Sequence, residues 1–88
     1  MEYKVLVRVY VPEIEESYEM YIPVNKTIGE ILTLLNKMIN DLTKVYPATN
    51  NADLYNRQTG VIYGRGCLVR DTDIRNGTEI VLWPNNHR

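Results

Sequence analysis

Few side chains in this sequence have the types and spacing that catalysis requires. The single histidine, His87, lies in the polar ending WPNNHR, where the fixed geometry of a general base is not expected. The single cysteine, Cys67, lies between GRG and LV, and no histidine is placed to raise its thiolate fraction. We therefore predict that Cys67 is a small buried apolar residue, that the chain has no catalytic residues, and that it is not an enzyme.

Metal and nucleotide sites are not indicated either. Asp71 and Asp73 alternate in a polar segment, but no third carboxylate follows at the spacing of a calcium loop. We expect both carboxylates to accept hydrogen bonds from turn amides. The segment GVIYGRG contains glycines without a P-loop lysine or a strand-to-helix nucleotide fingerprint, so its glycines indicate turns. No metal and no cofactor is predicted.

Charge and composition describe one ordinary domain. The 88 residues carry ten basic and eleven acidic side chains, for a formal net charge of −1. This balance disfavours nucleic acid as a partner, because phosphate contacts usually require a net basic face. No stretch approaches the roughly twenty apolar residues of a membrane span, and the N-terminus does not resemble a signal peptide. A lone cysteine fits a reducing compartment, so we expect a cytoplasmic protein with no direct membrane insertion.

Two alternating segments predict an antiparallel hairpin at the start of the chain. From Tyr3 to Val11, valines alternate with other side chains, which is the period of a strand with one buried face. After a reversal, residues 18–23 alternate again, and Pro23 indicates a sheet edge because it cannot donate a ladder hydrogen bond. The densest charge cluster is expected to be a solvated hairpin tip, the alternative being an acidic recognition patch: Glu13, Glu15, Glu16 and Glu19.

A capping box opens the predicted helix. Thr27 and Glu30 have the spacing at which hydroxyl and carboxylate satisfy each other's backbone amides. Apolar residues then recur at three and four, which predicts a helix from about Ile28 to Lys44, ending before Pro47. The predicted buried stripe comprises Ile28, Ile31, Leu32, Leu35, Met38, Ile39, Leu42 and Val45, with Asn36, Lys37, Asn40, Asp41 and Lys44 largely opposite.

The second half predicts short strands separated by turns. ADLYN is a strand, RQTG a turn, and VIYG a continuation or a second short strand. CLV is a brief apolar element, RDTDIRNG a loop with one helical turn, and TEIVLW the final strand. One helix can cover one face of such a sheet, so we predict a two-layer α+β domain over residues 1–84 with a polar tail at 85–88.

In this order the segments resemble the ubiquitin-like β-grasp family over nearly the whole chain. TIGEILTLL matches the family's capped helix entry, with Ile28, Ile31 and Leu35 at core positions, and LVRDTDIRNGTEIVLW resembles its last loop and strand, with Ile74 buried. The resemblance implies a mixed sheet of four to five strands packed on one α-helix. Within the family, the chain is most similar to the bacterial YukD and EsaB group of type VII secretion accessory proteins. That similarity implies a protein partner, such as a type VII secretion membrane component or ATPase.

The ending of the chain distinguishes branches of this family. Conjugating and sulfur-carrying relatives end in Gly-Gly, whereas WPNNHR carries bulky side chains, so we expect no adenylation. We predict a non-catalytic protein-interaction module. The alternatives are a carrier or modifier in an enzymatic pathway, and a stand-alone β-grasp regulatory binding domain. The sequence carries no prediction of an oligomeric state.

The predicted interaction surface lies on the sheet face that points away from the helix. If the valines of the first strand face the helix, as Ile80 and Leu82 of the last strand should, the residues between them face outward. An exposed face bearing Trp, Tyr and Arg has the composition of an interaction hot spot, and the resemblance implies the same face. The alternative is that Trp83 is covered by the C-terminal tail or by Tyr63. The predicted surface comprises Leu6, Arg8, Tyr10, Tyr55, Val81 and Trp83, with Leu6, Tyr55, Val81 and Trp83 expected to be contiguous.

Overall fold

The described part of the chain folds into a mixed β-sheet covered on one face by a helix. A computed structural model describes residues 3–43 and 52–84. The predicted α+β class is confirmed, while the C-terminal tail and Val45 of the predicted helix lie outside the described residues. The elements are β1 (Lys4–Val11), β2 (Glu16–Pro23), α1 (Ile28–Thr43), β3 (Ala52–Asn56), a 3₁₀ turn (Val69–Asp71) and β4 (Glu79–Pro84). In these residues, no helix is long and apolar enough to cross a membrane.

The sheet has the strand order β2-β1-β4-β3. β1 runs parallel to β4, whereas β2 and β3 run antiparallel to their neighbours. The predicted hairpin is present, with Lys4 opposite Pro23 and Val11 opposite Glu16. β2 therefore begins at Glu16 and not at Tyr18, because pairing with β1 continues to the turn. β2 forms one edge of the sheet, as Pro23 indicates.

The free edge of β3 is covered by the segment that follows it. VIYG does not form a strand, since only Ile62 forms a bridge, with Tyr55. The bridge consists of two backbone bonds: Tyr63 N–H donates to the Leu54 carbonyl at 2.9 Å, and Asn56 N–H donates to the Val61 carbonyl at 3.0 Å. Within residues 3–43 and 52–84, the two edges of the sheet therefore differ, with β3 covered and β2 open.

The core is one apolar layer between the sheet and α1. Val7, Val9 and Val11 face the helix and are at most 1% exposed, as are Leu35 and Ile39 on the helix side. Burying an aliphatic side chain of this size contributes about 1.5–3 kcal/mol, so this layer is the main source of stability. The prediction that the alternating valines and the helix stripe share one core is confirmed.

The helix stripe differs from the prediction on both of its flanks. Met38 and Leu42, predicted to be buried, are 38% and 60% exposed, and Leu34 beside them is 50% exposed. Asn36, predicted to lie on the solvent side, is only 5% exposed. Periodicity gives the angular position of a residue on a helix but not whether a strand lies beneath it. The flank with Leu34 and Met38 reaches the edge strand β2, beyond which the described part of the chain places no further strand.

The prediction that Cys67 is buried is wrong, because its side chain is exposed. Cys67 lies in the loop beside the start of α1, and both its backbone groups form hydrogen bonds within the fold. Its carbonyl accepts the Ile28 N–H at 2.9 Å, and its own N–H donates to the Gly64 carbonyl at 3.1 Å. The thiol is left on the solvent side of the loop.

Candidate interaction surface

The sheet face that points away from α1, called the outer face below, has a central aromatic row. Tyr10 of β1 and Tyr55 of β3 both stand opposite Val81 of β4, and Ile62 extends the row beyond Tyr55. Both tyrosines are half-buried, Ile62 is 61% exposed, and Val81 between the tyrosines is only 3% exposed. The row is therefore packed before any partner arrives, which lowers the entropy lost on binding.

Trp83 lies two residues beyond Val81 on the same face, opposite Asp53. It is 46% exposed, and it does not lie beneath the helix. The alternative that Tyr63 covers the indole is wrong, because the Tyr63 ring belongs to the core on the opposite face. The predicted C-terminal cover lies outside the described residues.

Next to the aromatic row, a row of alternating charges crosses the strands. Arg8 of β1 stands between Glu19 of β2 and Glu79 of β4, and the Arg57 N–H donates to the Glu79 carbonyl at 3.0 Å. The Arg8 guanidinium donates to a Glu19 carboxylate oxygen at 2.8 Å. This hydrogen bond, together with the charge of Glu19, raises the pKa of Arg8 above its ordinary value. The row provides both signs of charge to orient a partner.

The charged row corrects one expectation about the surface. Leu6 was expected to be contiguous with Val81 and Trp83, but the register places Arg8 and its charged neighbours between them. Leu6 precedes Tyr10 by four residues, which corresponds to about 13 Å along a strand. Leu6 is half-buried and its N–H donates to Asn76 Oδ1 at 2.8 Å. The expected contiguity of Leu6 with the aromatic residues is wrong.

Arg57 joins the aromatic and charged rows and was not identified from the sequence. Its guanidinium carbon lies 4.5 Å from the centroid of the Tyr10 ring, within the range of a cation–π contact. RQTG indicates only a turn, and no spacing in the sequence places Arg57 near Tyr10, because the contact spans three strands. Ile62 was missed for a related reason. Its position on the outer face depends on its bridge to Tyr55.

A buried polar network fixes the end of β3 from which Arg57 projects. The Tyr63 hydroxyl donates to Asp73 Oδ1 at 2.6 Å and accepts from Asn56 Nδ2 at 3.1 Å. Asn56 Oδ1 in turn accepts the backbone amides of Gln58 and Thr59 at 2.8 and 3.1 Å. Burial, and then the bond to Asp73, raises the pKa of Tyr63 to about 12. The carboxylate of Asp73 thus binds a hydroxyl, where a turn amide was predicted.

The described residues contain no group of three His, Cys, Asp or Glu side chains placed to hold a metal ion. The outer face presents a rigid aromatic row, an exposed indole and paired charges. These groups can bind another protein surface by apolar contact and hydrogen bonding.

Comparison with known proteins identifies the fold. No family model and no curated protein matches the chain. Among solved structures, the ubiquitin-like domain of Arabidopsis thaliana protein At2g32350 is 17% identical with a TM-score of 0.67, covering 98% of this chain and 82% of that one. The N-terminal ubiquitin-like domain of the 4931431F19Rik protein is also 17% identical, with a TM-score of 0.70 and coverage of 100% and 81%.

A third similar structure is a chain of the MycP5-free ESX-5 inner membrane complex. It is 16% identical with a TM-score of 0.78, and the match covers 99% of this chain but only 23% of that chain. This chain therefore spans about a quarter of the ESX-5 chain. At these identities the likeness concerns the fold, and the predicted ubiquitin-like β-grasp fold is confirmed.

Proposed function

We propose that this chain is a non-catalytic protein-interaction module, a ubiquitin-like accessory protein of a bacterial type VII secretion system that acts in the cytoplasm. Its docking surface is the outer face. The observation that carries this proposal is the exposure of Trp83, at 46%, beside a packed row of tyrosines on the sheet face opposite α1. Trp, Tyr and Arg are the residue types enriched at the energetic centres of interfaces.

The proposed partner is a membrane component or ATPase of the secretion complex. Two observations support this class of partner. Within the β-grasp family the chain is most similar to the YukD and EsaB group, and a chain of the ESX-5 inner membrane complex contains the same fold within a longer polypeptide. A similar fold also occurs in the crystal structure of ATBAG1 in complex with HSP70.

The arrangement of the outer face suits a rigid docking mode. Trp83 provides an apolar anchor that enters a pocket on the partner, and the aromatic row of Tyr10, Val81 and Tyr55 provides a flat surface around it. Arg57, held over the Tyr10 ring, and the Arg8 pair with Glu19 set the orientation of the partner by charge. Little rearrangement is required, because Val81 and the tyrosine rings are already packed.

The test is the double substitution of Tyr55→Ala with Trp83→Ala. Purified cytoplasmic domains of the type VII secretion membrane component and ATPase from the same organism are each titrated calorimetrically with wild-type protein and with the variant. We expect the variant to lose at least about 2 kcal/mol of binding free energy, a roughly 30-fold weaker Kd. The matched control is Val61→Ala, another largely exposed apolar residue, at 57%, which should bind as wild type does.

The double variant must remain folded for this comparison, which circular dichroism establishes. Unchanged affinity in a folded Tyr55→Ala, Trp83→Ala protein would show that docking does not use the outer face. Absence of binding by wild-type protein to every domain of the secretion complex would contradict the assignment of the partner.

A further inference from the structure

We propose that this chain forms a symmetric dimer through the open edge of β2. The two β2 strands pair antiparallel about a two-fold axis, which joins the four-stranded sheets of the two copies into one continuous sheet. Both α1 helices then lie on the same side of the combined sheet. This interface uses the backbone edge of β2 and the helix side of the sheet, whereas Trp83 and the aromatic row lie on β1, β3 and β4, so the proposal does not depend on the proposed function.

The hydrogen-bond pattern determines which backbone groups β2 presents at this edge. Val24 N–H donates to the Tyr3 carbonyl at 2.8 Å, so this pair is hydrogen-bonded, and bonding alternates along an antiparallel ladder. The backbone groups of Met20 therefore point toward β1, whereas those of Glu19 and Tyr21 point toward the open edge. In the described residues no strand pairs with that side of β2. An unpaired edge of this kind is a template for a further strand.

An apolar groove lies beside the open edge, between β2 and α1, with a volume of about 410 Å³. Leu34, Met38 and Leu42 follow one another at intervals of four along the helix wall of the groove, and they are 50%, 38% and 60% exposed. Met20 and Ile22, which stand opposite core valines of β1, form the strand wall of the groove. Exposed apolar side chains in a contiguous patch mark a site of association. A two-fold axis at the β2 edge would place the two helix walls against each other.

In the proposed register, Met20 lies opposite Met20 of the second copy. Glu19 then pairs with Tyr21 of the second copy, and they exchange both backbone hydrogen bonds. Ser17 falls opposite Pro23, which has no N–H but can accept through its carbonyl. Shifting the axis to Glu19 would place two like charges directly opposite each other, which is unfavourable. The Met20 register avoids this opposition.

Charge complementarity selects a second copy as the occupant of the edge. The start of β2 is acidic, with Glu13, Glu15 and Glu16, and none of these takes part in an ion pair within residues 3–43 and 52–84. The opposite end of β2 is followed by Lys26. Because antiparallel pairing about a two-fold axis reverses one copy, the acidic end of each strand comes next to Lys26 of the other. The edge is therefore complementary to itself.

The first experiment measures self-association by sedimentation equilibrium. We expect wild-type protein to approach twice the chain mass of 10.3 kDa as its concentration rises. Leu42→Glu places a charge in the apolar interface and should weaken the dimerisation constant at least about tenfold. The matched control is Ile62→Glu, since Ile62 is 61% exposed against 60% for Leu42 but lies on the outer face. The control should dimerise as wild type does.

The second experiment tests the register by disulfide trapping. Cys67 is exposed and is first replaced by Cys67→Ser. In this background, Met20→Cys should form an intermolecular disulfide under mild oxidation, because residues in a non-hydrogen-bonded pair have Cα atoms about 4.5 Å apart. Tyr18→Cys is the control, since two residues of strand on each copy separate the Tyr18 pair by about 13 Å in this register. It should remain monomeric on a non-reducing gel.

Each outcome supports or overturns the proposal. Concentration-dependent dimerisation that Leu42→Glu weakens, with a crosslink at Met20→Cys only, supports it. Wild-type protein that stays monomeric up to about millimolar concentration, well above the range of specific dimers, overturns it. A dimer that Leu42→Glu does not weaken overturns it as well. An extended peptide from another protein that binds at β2 of a monomer, seen by chemical-shift changes at Glu19 and Tyr21, also overturns it.

Discussion

Tyr63 shows how one buried hydroxyl organises the end of the sheet that carries the outer face. It connects Asp73 of the last loop to Asn56 at the end of β3, and Asn56 holds the turn from which Arg57 projects. A buried hydroxyl stabilises the fold when its hydrogen-bond partners are present. A buried donor or acceptor that loses its partner destabilises the folded state. The position of Arg57 over Tyr10 therefore depends on a residue on the other face of the sheet.

Tyr63→Phe removes this hydroxyl and leaves Asp73 and Asn56 without their shared partner. We expect a loss of about 1–2 kcal/mol in the free energy of unfolding at neutral pH, measured by urea titration. Tyr3→Phe is the control, because Tyr3 is 58% exposed, and it should unfold as wild type does. Equal stability of both variants would contradict a structural role for the Tyr63 network.

The same variant has a defined pH dependence. The pKa of Tyr63 is raised from 10.0 to about 12 in the folded chain, so folding favours the neutral hydroxyl. Its contribution is fully present below pH 10 and is lost as the pH rises from about 10 to 12. The difference in unfolding free energy between wild type and Tyr63→Phe should therefore shrink across this window. A constant difference up to pH 12 would show that the hydroxyl is not held neutral.

At the level of elements, the start of α1 is set by its capping box. Thr27 N–H donates to Glu30 Oε1 at 2.9 Å, and Glu30 N–H donates to Thr27 Oγ1 at 3.2 Å, as the sequence predicts. These bonds, the one from the Thr27 backbone first, lower the pKa of Glu30. The helix entry is thereby fixed beside the loop of Cys67, whose carbonyl receives the Ile28 N–H.

Loss of the cap should destabilise the protein measurably. Thr27→Ala is expected to cost about 1 kcal/mol in urea unfolding, whereas Thr33→Ala, in the exposed helix interior, should be neutral or slightly stabilising.

Glu30→Gln tests the same cap through its pH dependence. Because the folded pKa of Glu30 lies below 4.5, its contribution is present above pH 4.5 and is lost as the pH falls through the folded value. Wild type and Glu30→Gln should therefore converge in stability at acid pH, and divergence would contradict the cap.

For the whole molecule, stability rests on one apolar layer, which is the usual condition of a domain this small. The adjacent helix residues Leu34 and Leu35 make this testable, since they are 50% and 1% exposed. Leu35→Ala should cost about 2–5 kcal/mol, a large part of the total stability of a small domain. Leu34→Ala, measured in dilute protein, should change stability by less than about 0.5 kcal/mol. Comparable losses in both variants would mean that the groove wall is part of the core.

The exposed Leu34 belongs to the groove beside β2, which is a different surface from the outer face. The outer face is one side of the sheet, and the groove is formed by the helix and the edge of β2. A dimer through β2 would leave Trp83 of each copy free to meet a partner. Two copies would then present two docking surfaces, which raises apparent affinity for a partner that is itself repeated.

Local order could be predicted from the sequence because it depends on neighbours along the chain. The valine alternation, the spacing of Thr27 and Glu30 and the donor missing from Pro23 predict the first hairpin, the helix entry and the sheet edge. Each of these patterns depends on residues that are close to one another in the sequence. The predicted fold followed from the order of these elements, and Trp83 was placed on the outward side of the last strand by alternation alone.

What only the tertiary structure decided depends on contacts between distant segments. The register of β1 with β4 separates Leu6 from the aromatic row, and the packing of the loop after β3 exposes Cys67 and turns Ile62 outward. Helical period could not show that Met38 and Leu42 lie beside an open sheet edge. The strand order that leaves one side of β2 without a partner strand in the described residues is set by pairings between segments far apart in sequence. Alternation and period fix directions along an element, whereas burial depends on what the rest of the chain places next to it.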